Sequence, residues 1–165
     1  MDIKEFAQEF IANIMLSVDM TGADYDEELA TGILEYIVDN GEVNTPELCS
    51  FQKTRTRITA YDYNDEAESL DLFYLVKSDT LVGKVNNNKI QQGFNYLMSF
   101  YREAMNGSLF KNQDAEPSDE LTEVAKLVES SLGKISQLRL YVLTDGLADP
   151  SVVPSAVEAD SGDYV

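Results

Sequence analysis

A chain of 165 residues with 44% hydrophobic content can bury one proper core, but not several. Its 30 acidic against 12 basic residues leave a formal charge of −18, which argues against a general nucleic-acid platform, since such surfaces neutralise phosphates with Lys and Arg. No histidine and a single cysteine, Cys49, exclude His-based zinc sites, Ser-His-Asp triads, Cys-His dyads and an internal disulfide.

The first element is a helix. Ile3, Phe6, Ala7, Phe10, Ile11, Ile14, Met15 and Val18 recur at helical spacing as one apolar stripe, and Asp2 with Glu5 can cap its start. MDIKEF is acidic and amphipathic, unlike a signal peptide, and no run approaches the roughly 18 apolar residues of a membrane span. A cytoplasmic location with no membrane contact is therefore expected. After the glycine-containing break at Met20–Asp24, a second stripe (Leu29, Ala30, Ile33, Leu34, Ile37, Val38) defines a second helix that stops at Asn40-Gly41.

The next stretch turns to strand chemistry. Pro46 marks a loop, a first strand is expected near Leu48–Gln52, and Cys49 within it is read as a buried small hydrophobe. KTRTRITAYDYNDEAESLDLFYLVK, from Lys53 to Lys77, reads as a β-hairpin with adjacent strands over 53–63 and 68–77. Asp62, Asp65, Glu66 and Glu68 are most simply its solvated turn. Lys53, Arg55 and Arg57 share one strand face: a candidate nucleic-acid contact, or an exposed stripe answering nearby acid.

Val85-Asn-Asn-Asn88 opens a third helix through Ile90, Phe94, Leu97, Met98, Tyr101 and Met105, closed by Asn106-Gly107. Ser118 caps a fourth, through Leu121, Val124, Ala125, Val128 and Leu132. ISQLRLYVLT, over 135–144, is almost continuously apolar and suits a strand covered on both faces. Asp145-Gly146 reads as a turn, although strand ends in α/β sheets also host sites. Residues 1–146 are expected to form one domain, and 147–165 a flexible tail or linker to a further C-terminal region. The fold class is α/β (α+β): a mixed sheet of about four strands flanked by helices, in the order α-α-β-β-β-α-α-β.

The blocks FAQEF, LATGILEYIVDNGEVNTPELCSF, ITAYDYNDEAESLDLFYLV and LRLYVLTDG resemble the N-terminal region of the AIPR family, bacterial proteins of abortive infection and phage resistance. The resemblance implies a restriction-endonuclease-like fold, with helix, three strands, helix and strand in order. It also implies where a nuclease site would lie: one acid on the second core strand and an acid-x-lysine triplet on the third. There the acids would hold a hard divalent cation and the lysine would orient or deprotonate water. On this pattern Asp62 and Asp71 are the candidate metal and catalytic acids, Lys77 the candidate lysine, and Glu28 or Glu35 an auxiliary acid.

The triplet is broken. Asp71-Leu72-Phe73 has the acid without the lysine, and Leu75-Val76-Lys77 the lysine without the acid. Strand rise puts Asp71 and Lys77 about 20 Å apart. The expectation is a nuclease-like domain with a degenerate site, no cofactor, and an interaction or scaffold role beside the remainder of a longer chain and protein partners. The alternatives are an active Mg²⁺-dependent DNA or RNA nuclease, and an acidic module that binds a basic partner.

Overall fold

The computed structural model describes residues 2–110, 117–130 and 134–148. Among them are four helices and four strands: α1 (Ile3–Thr21), α2 (Tyr25–Asp39), β1 (Glu47–Gln52), β2 (Arg57–Asn64), β3 (Ser69–Val76), α3 (Asn87–Met105), α4 (Asp119–Ser130) and β4 (Gln137–Thr144). The order is the one the sequence implies. Residues 111–116, 131–133 and 149–165 lie outside the described residues, and with them most of the expected tail.

The helix ends form where the sequence supplies capping chemistry. Asp2 and Glu5 close a reciprocal capping box on α1, and Asp24 accepts from the Glu27 amide at the start of α2. Asn86 does the same for α3 through the Lys89 amide, and Ser118 for α4 through that of Leu121. Gly41 and Gly107 take left-handed backbone just after α2 and α3, as a helix stop requires.

The strands form one sheet in the order β1-β2-β3-β4, antiparallel across the first two pairs and parallel between β3 and β4. The hairpin is shorter at its start than the sequence suggests. Lys53 donates its amide to the Thr56 carbonyl, so 53–56 form a turn between β1 and β2 instead of the first residues of a strand. Both strands are irregular just beyond that turn. The β1–β2 register shifts between Leu48 and Phe51, and the Leu75 amide bonds the Thr59 hydroxyl.

Two cores sandwich the sheet. On one face Ile58, Tyr61, Leu70 and Leu72 pack with Leu97 and Phe100 of α3 and with Leu121 and Val124 of α4. On the other, Ala60, Phe73 and Leu143 pack against Leu34 of α2 and Val43. Cys49 is buried in the first core, where burial raises its thiol pKa, in keeping with a hydrophobe and not a nucleophile.

Two expectations of burial do not hold. β4 is an edge strand of the described sheet, and only Leu143 in it is fully buried. A run of apolar residues also suits an edge strand whose faces are half-covered by helices. α1 is a helix as its spacing predicts, but Ile11 is the one buried residue of its apolar stripe, and Ile3 and Met15 are 75% and 42% exposed. Its packing is on α2, where Gly32 admits it: a Cβ there would stand 2.7 Å from Ile14 Cδ1.

Candidate functional site

β2 and β3 pair so that Asp62 lies directly opposite Asp71. Both are interior, at 4% and 2% exposure, so Asp62 belongs to the strand and not to the solvated turn the sequence suggests. Asp65, Glu66 and Glu68 do form that exposed turn. Two carboxylates side by side in a protein interior demand compensation, because burial and mutual repulsion both oppose their ionised forms.

The compensation comes from two directions. Asp62 Oδ2 accepts from the backbone amides of Asn44 and Thr45, at 2.8 and 3.2 Å, in the loop that follows α2. Asp71 accepts from Arg139 of β4 at both oxygens, Nε to Oδ1 at 2.6 Å and Nη2 to Oδ2 at 2.7 Å. The parallel register that sets Arg139 against Asp71 makes this two-pronged geometry possible. Arg139 also reaches the Glu42 carbonyl, and its guanidinium lies 5.8 Å from the Tyr141 ring centre.

Burial raises the Asp71 carboxyl above the ordinary carboxylate range; Arg139 pulls it back down, and the neighbouring Asp62 charge adds to the rise. Asp71 in turn holds the Arg139 guanidinium more firmly protonated. Asp62 Oδ1 is buried without a hydrogen-bond partner.

Lys77 is not part of this cluster. It follows β3, at the far end from Asp71, and pairs with Asp26 of α2 at 3.1 Å on the surface. Glu28 accepts a hydrogen bond from Ser17 of α1, and Glu35 is exposed on α2. Among the described residues, no three acidic or cysteine side chains group so as to hold a metal ion.

Nor do the three basic candidates form one stripe. Lys53 pairs with Glu103 of α3 at 3.6 Å, and Arg55 is exposed in the turn. Arg57 is fixed by neutral partners: Nε donates to the Lys53 carbonyl, Nη1 to the Tyr74 hydroxyl, each at 3.3 Å, and the guanidinium stacks 4.5 Å over the Tyr96 ring.

Sequence reasoning missed two arrangements. Arg139 was hidden in an apolar run, and a single basic residue in such a strand is the signal that could have found it. The other is Asp145, 6% exposed, which accepts from the Ser78 amide and hydroxyl and from the Tyr25 hydroxyl. It is a tie between the end of β4, the end of β3 and the start of α2. Beside it, Gly146 leaves no room for a Cβ, which would stand 2.6 Å from the Gly83 carbonyl. Leu147, placed by the sequence at the start of the tail, is instead hydrogen-bonded to Gly83 and Val85.

The molecule is thus an α+β domain: a mixed four-stranded sheet between helices, with a buried acid pair inside, of which Asp71 is answered by Arg139 and Asp62 by two backbone amides. Residues 29–161 match the abortive infection phage resistance protein N-terminal domain, and the chain belongs to that family. It is a phage-resistance domain by that membership. No curated protein and no solved structure matches it.

Proposed function

We propose that this domain serves its phage-resistance protein in an interaction or scaffold role, on a nuclease-like frame whose cation site is closed. The element order and the acids on the second and third strands support the nuclease-like frame. The observation that carries the closed site is the Asp71–Arg139 pair. A hard cation needs carboxylate oxygens directed at it, and a magnesium ion takes about six oxygen ligands. Here Asp71 gives both oxygens to a guanidinium and Asp62 gives one to two amides. Arg139 also brings its own positive charge to the place a cation would take. These residues do not fit a magnesium ion.

The surface charge favours a protein partner over a polyanion. At −18, long-range electrostatics attract a basic protein and repel nucleic acid. The competing reading, an active Mg²⁺-dependent nuclease, requires Arg139 to release Asp71.

Incubating the purified chain with plasmid DNA and with single-stranded RNA, in Mg²⁺ or Mn²⁺, decides between the two. No cleavage is expected. Cleavage that disappears in Asp62→Ala or Asp71→Ala would restore the nuclease.

A further inference from the structure

A cleft of about 670 Å³ opens at the opposite end of the β2–β3 pair from the acid pair, between the start of α2 and the start of α3. That volume is in the range of small-molecule sites. Its walls carry opposite charge. Asp24, the N-cap of α2, and Asp26 and Glu27 of its first turn line one side, while Arg57 comes from β2, Lys77 from just after β3 and Lys89 from α3.

The three cations differ in what binds them. Lys77 and Lys89 hold exposed ion pairs with Asp26 and Asp79, which are weak and cheap to open. Arg57 meets no carboxylate at all among the described residues. In a chain with 30 acidic residues, that is a guanidinium set in place by a carbonyl, a phenol and a ring, with its charge left unanswered. Tyr74, which fixes it, lines the same cleft, as does Tyr96 beneath it. A guanidinium held rigid before the ligand arrives loses little freedom on binding an anion.

From this we infer that the cleft binds a small phosphorylated molecule of mononucleotide or sugar-phosphate size. The phosphate sits on Arg57, with Lys77 and Lys89 released to it, and the hydroxyl- or amino-bearing end donates to the carboxylates of α2. A long polyanion is disfavoured, because those carboxylates and the total charge repel any further phosphate. The inference is independent of the acid pair and of the scaffold reading.

Calorimetric titration of the full chain with inorganic phosphate, ribose 5-phosphate, adenosine monophosphate and adenosine tests it. Saturable binding of the two phosphorylated organic probes, at a dissociation constant of about 1 mM or tighter, is expected, with adenosine much weaker. Arg57→Gln should weaken that binding about tenfold or more while the thermal midpoint stays close to that of the parent. Tyr74→Phe, which keeps the ring and frees the guanidinium, should weaken it less and covers the case in which Arg57→Gln fails to fold. Absence of saturable binding, binding unchanged in both variants, or adenosine binding as well as its monophosphate would each overturn the proposal. So would tighter Arg57-dependent binding of a single-stranded oligonucleotide than of the mononucleotide.

Discussion

Arg57 and Arg139 lie at opposite ends of the same sheet, each beside a tyrosine ring, and they do different work. Arg139 gives two hydrogen bonds to a carboxylate that is 2% exposed, so its charge is spent inside the protein. Arg57 gives its bonds to neutral groups, so its charge remains to act outward. The difference lies in what the neighbouring elements supply. Asp71 of β3 faces Arg139 of β4, whereas Arg57 meets Tyr74 of β3 and Tyr96 of α3. Type and exposure alone would have classed the two arginines together; only their partners separate structure from candidate function.

The largest expected effect follows from that contrast. Arg139→Met leaves Asp71 buried and unanswered beside Asp62. Breaking a fully buried pair costs about 3–5 kcal/mol, and with the Arg139 side chain 36% exposed the loss should be about 2–4 kcal/mol. Replacing both partners, as Asp71→Leu with Arg139→Met, should recover most of it, since Asp71 is then not left charged without its partner and Asp62 keeps its two amides. Arg57→Gln strands nothing and should cost under about 1 kcal/mol. Urea unfolding of the four proteins checks the set. Equal losses at the two arginines would break the comparison.

How much of this was legible beforehand depends on sequence distance. Helix caps at Asp2, Asn86 and Ser118, and the β2–β3 hairpin, depend on residues a few positions apart, and there the sequence speaks directly. Asp62 and Asp71 were named as candidate acids from the family pattern, but their direct pairing across β2 and β3 depends on a register that the turn assignment of Asp62 had wrong. Arg139 stands 68 positions from Asp71, across a parallel pairing whose register no local pattern encodes. The Tyr25–Asp145 contact spans 120 positions and was invisible for the same reason. Exposure of α1 was missed because an apolar stripe states what a helix can bury, not whether a partner is there.

A smaller effect concerns Asp145, a third buried carboxylate, which resembles Arg57 in having only neutral partners. Burial first, then the charge of Asp145 and its hydrogen bond, push the Tyr25 hydroxyl up to about 12. Below its ordinary value near 10 the tyrosine is protonated in both folded and unfolded chains, and its contribution to stability is complete. As pH rises from 10 towards 12 the unfolded chain sheds that proton first, so stability falls through this window. Tyr25→Phe should flatten the fall without abolishing it, because Tyr61 and Tyr141 are also shifted upward, chiefly by burial. Denaturant midpoints measured at pH 8, 10 and 11 in both proteins would reveal it. Parallel pH profiles would mean that Tyr25 meets Asp145 too loosely to matter.

The smallest effect is expected at Lys77, and it extends the comparison to a charge pair in water. Its bond to Asp26 is short, at 3.1 Å, but the side chains are 51% and 47% exposed. Solvent screens such a pair, and holding two long side chains in one geometry costs entropy, so the coupling should be about 0.2–1 kcal/mol. A double-mutant cycle of Lys77→Ala and Asp26→Ala measures it, and the value should shrink as salt is raised. A coupling near that of the Asp71–Arg139 pair would mean that burial does not grade these interactions. A small, salt-sensitive one leaves Lys77 held so weakly that an arriving phosphate can take it from Asp26, which is what binding in the adjacent cleft requires of it.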